Sequence, residues 1–206
     1  MKLSDKTKFV ISVLNELYPE PEIPLEHENN FTFLIAVMLS AQSTDKKVNQ
    51  ITPKLFAKAD TPEKMDKLDE KEIRTLIREI GLAPTKSKNI KKTCAQLLEK
   101  HSGEIPDNFE ELEELAGVGH KTASVIMAQA FDVPAFPVDT HIHRLAFRWG
   151  LSNGKNVQTT EKDLKASFTK KDWNRLHLQM IFYGREHCQA RKRVCECRIC
   201  EGIRNS

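Results

Sequence analysis

A lysine and a carboxylate lie close together in this 206-residue chain, in a setting suited to chemistry on a phosphate-bearing sugar. Residues 115–122 read Leu-Ala-Gly-Val-Gly-His-Lys-Thr, and residues 138–144 read Val-Asp-Thr-His-Ile-His-Arg. Gly117 and Gly119 allow positive φ and close approach by another backbone. A helix starting just after them would turn its unpaired N–H groups outward, toward an anion such as phosphate. Lys121 falls in the first turn of that helix, where the dipole disfavours a cation. That field favours the neutral amine a nucleophile needs. Asp139 follows Phe136-Pro137-Val138 at the start of another helix, where it could serve as an N-cap or assist a reaction. An ordinary tight helix-helix turn, with a phosphate-contacting lysine and a capping aspartate, explains the same residues singly. The lysine and carboxylate together favour catalysis.

A second group of candidates lies near the C-terminus. Cys188, Cys195, Cys197 and Cys200 crowd together, whereas Cys94 stands alone in a helical pattern and reads as a small buried hydrophobe. Clustered cysteines in an intracellular setting point to metal rather than disulfides. Four thiolates suffice for a [4Fe–4S] cubane or a tetrahedral zinc site. Either would leave no open metal position, which argues against zinc-dependent hydrolysis.

The elements that must position these residues read as helices throughout. Phe9, Val13, Leu14 and Leu17 give an apolar stripe that ends near Tyr18, before Pro19, Pro21 and Pro24. Phe31 to Leu39 is almost continuously apolar and reads as a buried helix. Thr44 or Asp45 caps a helix containing Pro53, and Thr61-Pro62-Glu63 opens another. A helix starts at Leu68-Asp69 and stops at Gly81, followed by others over 87–100, 110–115, 121–130, 140–149 and 172–183. No segment shows the alternation of a strand. The expected class is all-α, with about ten helices and a break around Pro134 to Pro137. The composition, 39% hydrophobic and 30% charged with net charge +3, is that of a globular protein and permits a basic face. No apolar run approaches the ~20 residues that cross a bilayer, so no membrane is expected. No secretory signal is read at the start, which points to the cytosol.

These motifs resemble endonuclease III, a family of bifunctional DNA glycosylase/AP lyases. The family motif Leu-Pro-Gly-Val-Gly-Arg-Lys-Thr-Ala is matched from Leu115 to Ala123, with Ala116 for Pro and His120 for Arg. Val138 to Arg144 matches a second motif, and Leu39 to Asp45 and Tyr183-Gly184-Arg185 extend the likeness. The resemblance implies a helix-hairpin-helix glycosylase fold. A six-helix barrel domain would span 23–134, with the hairpin near 110–130, and residues 1–22 and 135–206 would form a discontinuous iron–sulfur cluster domain. It implies DNA bound between the two, Lys121 as nucleophile and Asp139 as essential carboxylate. Gln42 would fill the space of a flipped base and Leu82 would wedge the stack, with Gly117, Gly119, His120 and His141 also at the DNA. The implied activity is release of oxidised pyrimidines and nicking by β-elimination. The partner would be damaged double-stranded DNA, and the enzyme a cytoplasmic, nucleoid-associated monomer. A non-catalytic DNA-binding module and a monofunctional glycosylase are the alternatives.

The family's cysteine spacing is Cys-x6-Cys-x2-Cys-x5-Cys. Here only the first interval holds, and Arg198 and Arg204 occupy the positions expected for the last two thiolates. The resemblance still implies a [4Fe–4S] cluster on Cys188, Cys195, Cys197 and Cys200, with zinc the less expected occupant. Arg185, Arg191, Lys192, Arg193 and Arg198 around it could face a phosphate backbone, as could Lys86, Lys88, Lys91 and Lys92 elsewhere. A solvated helix face is the plainer meaning of the latter run.

Overall fold

The computed structural model describes residues 1–191 and 195–205, and the described residues are helical with no strand. They form two compact units, Ile23–Phe131 and Met1–Glu22 with Asp132–Ser206. No helix is long and apolar enough to cross a membrane.

The first unit begins with α2 (Asn30–Ser40), given that α1 (Leu3–Leu17) belongs to the second. Every side chain from Phe31 to Leu39 is buried, which is why this stretch lacks a polar face. Its start is a capping box: the Asn29 side chain accepts from the Thr32 N–H, and the Thr32 hydroxyl accepts from the Asn29 N–H. Then come α3 (Asp45–Phe56), capped by Thr44 and running through Pro53, and α4 (Pro62–Asp66), capped by Thr61. Helix α5 (Glu70–Leu76) has a second capping box, Asp69 with Glu72. It ends well before Gly81, the stop expected from sequence. Ile77 takes a non-helical ψ of 14°, and a tight turn from the Ile77 carbonyl to the Ile80 N–H lets both isoleucines reach the core.

The long α6 (Ala83–His101) packs on α2, α4 and α5. The hairpin helices α7 (Phe109–Glu114) and α8 (His120–Ala130) pack on each other, and α8 packs on α2. Cys94 is fully buried in α6, and burial pushes its thiol up to about 12.

In the second unit α9 (Thr140–Arg148) packs on α11 (Trp173–Glu186), and α1 packs on α11 and on α12 (Arg198–Arg204). Val10, Leu14, Ile142, Leu145, Trp149, Leu176 and Tyr183 form one core with the cysteines Cys188, Cys195 and Cys197. Two helices of this unit have little sequence signal. Helix α10 (Val157–Ser167) has Leu164 as its one fully buried large apolar residue, and α12 lies in the cysteine tail.

Candidate active site and metal centre

The hairpin is held by α6 rather than by its own two helices alone. The Thr93 hydroxyl donates to the Ala116 carbonyl at 2.7 Å, and the Gln96 side chain accepts from the Ala116 N–H at 2.8 Å. Gln96 also donates to the Glu114 carbonyl at 3.0 Å. Gly117 is required twice over. Its φ is +81°, and a Cβ there would come within 2.6 Å of the Asn89 side chain. Gly119 has an ordinary φ of −102°, and nothing lies within 4 Å of where its Cβ would be. It is the N-cap of α8 and offers no side-chain cap. Gly117→Ala is therefore expected to destabilise the fold by about 2–4 kcal/mol, combining left-handed strain with overpacking. Gly119→Ala should cost about 0.5–1 kcal/mol, the loss of a glycine N-cap at an uncrowded position. Urea denaturation of the two variants checks this contrast.

Lys121 is exposed in the first turn of α8. His120, also exposed, places Nδ1 2.8 Å from Glu113 Oε1 and stacks on Phe109. Glu110, Glu111, Glu113 and Glu114 are exposed, as their pattern predicts.

Gln42 and Leu82 share an unusual property that composition does not reveal. Both have left-handed backbones, with φ of 57° and 62°. A bulky non-glycine residue there is an outlier, at a cost of about 1 kcal/mol or more. Both side chains are nevertheless exposed, Leu82 by 51%. The two turns touch: the Gly81 N–H donates to Ser43 Oγ at 3.3 Å, and a Cβ on Gly81 would sit 3.2 Å from the Gln42 carbonyl oxygen. Strain retained on exposed side chains in adjacent turns is a feature of binding sites.

The lysine run of α6 does not form a common cationic face. Lys86 is buried and donates to the Leu39 and Ala41 carbonyls. Lys91 pairs with Asp66 at 2.9 Å. The Lys86 ammonium is spent inside the fold and not on a solvated face, whereas Lys91 sits in a partly exposed ion pair, as a solvated face allows. Lys88 and Lys92 are exposed.

In the second unit Asp139 is half-buried after the buried segment Ala135-Phe136-Pro137-Val138. Its Oδ1 caps α9 by accepting the Ile142 N–H at 2.7 Å. The cap uses one carboxylate oxygen, so capping and chemistry are compatible. His141 accepts from Arg144 at 3.2 Å, and Arg144 also donates to the Gly184 and Cys188 carbonyls at 3.0 Å. Arg144 thereby ties the helix bearing Asp139 to the start of the cysteine loop. His143 bonds the Thr160 hydroxyl.

The four sulfurs of Cys188, Cys195, Cys197 and Cys200 all lie within 4.8 Å of one another. The compressed spacing thus still assembles four thiols in one place. Hydrogen bonds from Cys188 and Cys200 hold Cys197 far below the ordinary thiol range, while Cys188 is pushed up to about 11 by the same sharing. Thiols that ligate a cation give up their protons as it binds. Arg148 donates to Cys188 Sγ at 3.2 Å and to the Gln189 carbonyl at 2.9 Å. The buried Tyr183 hydroxyl accepts the Ile199 N–H at 3.1 Å. Sequence reasoning missed Arg148, although it lies one turn beyond Arg144. Arg198 pairs with Glu16 at 2.7 Å, and Arg204 donates to the Cys195 carbonyl, so the two arginines at the family's ligand positions brace the loop instead. Lys192 and Arg193 lie outside the described residues.

Comparison with known proteins matches residues 35–170 to the HhH-GPD superfamily of base excision DNA repair proteins. Endonuclease III of Haemophilus influenzae is 43% identical over 201 residues, 97% of this chain and 95% of that protein. Endonuclease III of Escherichia coli K12 is 42% identical over 194 residues, 94% of this chain and 92% of that protein. A non-covalent endonuclease III–DNA complex superposes with a TM-score of 0.91 at 38% identity, covering 100% of both chains. A trapped endonuclease III–DNA covalent intermediate gives 0.90 at 38% identity, covering 98% of this chain and 99% of that one. With the hairpin and the four-cysteine site, these likenesses identify the chain as a member of the endonuclease III family, the DNA glycosylase/AP lyases of base excision repair.

Proposed function

We propose that this enzyme releases oxidised pyrimidines from duplex DNA and then nicks the strand 3′ to the abasic site, with Lys121 as nucleophile and Asp139 as its carboxylate partner. The observation that carries the reading is an exposed Lys121 in the first turn of a helix fixed by Thr93, Gln96 and Gly117. The existence of a trapped covalent DNA intermediate for a relative supports a covalent route.

The target base must leave the stack before its glycosidic bond is reachable. Leu82 enters the stack as an apolar wedge and Gln42 fills the vacated space. Gly119 and the N-terminus of α8 seat a backbone phosphate, with His120 and His141 at the margins. The neutral Lys121 amine attacks the anomeric carbon C1′, and the base leaves with the bond electrons and takes up a proton. Asp139 stabilises positive charge on the sugar and accepts a proton from the amine. The sugar ring opens to an iminium, which acidifies the C2′ proton. Loss of that proton drives out the 3′ phosphate, and water then hydrolyses the imine, freeing the Lys121 amine and leaving an unsaturated aldehyde on the 5′ fragment. The enzyme works as a monomer at the nucleoid, in the cytoplasm.

Single-turnover assays on a panel of duplexes test the specificity. Oxidised pyrimidines should be released at least about tenfold faster than oxidised purines or mismatched thymine, the scale on which one pocket discriminates close analogues. Equal or faster action on the purines would reject the substrate assignment.

We propose a [4Fe–4S] cluster on Cys188, Cys195, Cys197 and Cys200. Thiolates are the donors such a cluster takes, and four thiols converge here with Arg148 placed to offset their charge. When bound, the cluster supplies fold stability and presentation of the loop to DNA, not chemistry on the sugar. Zinc is the second reading, because Zn–S bonds of ~2.3 Å bring four sulfurs to about 3.8 Å apart, which suits so tight a set. Purified protein should be brown, with four iron and four sulfide per chain expected of a cubane. Colourless protein with one zinc would select the alternative.

A further inference from the structure

Lys86 is a charged side chain that the proposed chemistry leaves unused, although it is only 6% exposed. It lies in the second turn of α6, and its own N–H bonds back to the Leu82 carbonyl at 3.0 Å. Its Nζ donates to the Leu39 carbonyl at 2.8 Å and to the Ala41 carbonyl at 2.5 Å. Those carbonyls are at the end of α2, where helix oxygens lack intrahelical partners and the dipole is negative. The next residue is Gln42, with its left-handed φ. Burial lowers the Lys86 pKa, yet two charge-assisted bonds reward the ammonium form. The side chain thus joins the turn that carries Gln42 to the helix that starts at Leu82. The Gly81 N–H to Ser43 Oγ bond makes a second link between the same two turns.

The bonds of Lys86 exclude two simpler roles. Its donors point into the protein, so it is not a phosphate contact. It is also not an alternative nucleophile, because its amine is buried and bonded. What remains is the strain at Gln42 and Leu82: two unfavourable backbones stay fixed only where their surroundings over-determine them.

We propose that Lys86 is a positioning residue that presets Gln42 and Leu82 as one two-pronged wedge for the DNA stack. The proposal rests on the reading of Gln42 and Leu82 as inserting residues. Lys86 would make the insertion a rigid-body event, so that neither turn has to be ordered at the moment of unstacking.

The test uses Lys86→Met, which keeps length and loses the donors, alongside Ser43→Ala, Gln42→Ala and Leu82→Ala. Unstacking is read as the 2-aminopurine fluorescence rise at saturating protein, with the probe placed opposite a tetrahydrofuran abasic analogue in a duplex. Nicking is read on duplex and on single-stranded abasic DNA. Lys86→Met should lose most of the fluorescence rise and roughly tenfold or more of duplex kcat/KM, the scale of a lost buried charged hydrogen bond. Nicking of single-stranded DNA, which has no stack to open, should stay within about twofold. Ser43→Ala should give a smaller loss of the same kind.

A full fluorescence rise in Lys86→Met, with the rise lost in Leu82→Ala and Gln42→Ala, overturns the role of Lys86 alone. Equal losses on duplex and single strand, with the rise at saturation intact, mark a merely structural lysine and overturn it too. A full rise in Gln42→Ala and Leu82→Ala overturns the insertion reading and this proposal with it. If circular dichroism shows Lys86→Met unfolded, Ser43→Ala decides: an unchanged rise there rejects the braced wedge.

Discussion

Lys121→Ala is expected to abolish borohydride-trapped protein–DNA adducts and to lower the single-turnover rate of nicking abasic duplex by on the order of 10³-fold or more, the scale of removing a covalent nucleophile. No other lysine of the hairpin can replace it, because positions 115–120 carry none. The side chain is exposed, and alanine is the best helix former, so the melting temperature should not fall. Loss of activity at unchanged stability is the signature sought. Lys121→Arg should behave like Lys121→Ala, since guanidinium stays protonated and cannot attack. A variant that kept its lyase rate would place the nucleophile elsewhere.

The second large effect is expected at Asp139, where two roles share one carboxylate. Asparagine is as good an N-cap as aspartate, so Asp139→Asn should keep the bond from the Ile142 N–H and the stability of α9. It removes the charge and the proton acceptor, and should lower base release by about 10²–10⁴-fold, the usual range for a general base. Asp139→Ala removes both functions. It should show the same loss of rate and cost about 1 kcal/mol in addition. In a chain of this size that corresponds to a melting temperature lower by about 2–4 °C. Full activity in Asp139→Asn would reduce the residue to a helix cap.

What was legible in the sequence follows from where local and tertiary effects agree. Helix α2 was readable because the unbroken apolar run from Phe31 to Leu39 has few alternatives. The caps Thr44, Thr61 and Asp69 were readable because capping is local chemistry. Helix α10 was not, because Asn156 and a single fully buried leucine hold a mostly polar segment. The early end of α5 depends on two isoleucines turning to the core, a tertiary choice that leaves no mark in periodicity.

The site divides in the same way. Gly117 announces its conformation by having no side chain, and the structure adds the Asn89 contact that makes the glycine obligatory. Gln42 and Leu82 give no such sign, since nothing in either side chain calls for positive φ. They came from family likeness, and their strain is visible only in three dimensions. Lys86 read as one of several surface lysines because an ordinary helical spacing does not say which member of a charged run faces a neighbouring helix end. The cysteine tail departs from the family spacing, yet the four sulfurs converge, because α12 turns Cys200 back toward Cys188 to 3.9 Å.

The central claim, that Lys121 forms the covalent link to DNA, is tested most directly by finding the atom that carries it. Wild-type enzyme is reacted with abasic duplex, reduced with borohydride, digested, and the sugar-bearing peptide is sequenced by mass spectrometry. The account predicts a reduced deoxyribose remnant on Lys121 within the Gly117–Ala130 region. A remnant on the N-terminal amine or on any other lysine would contradict it.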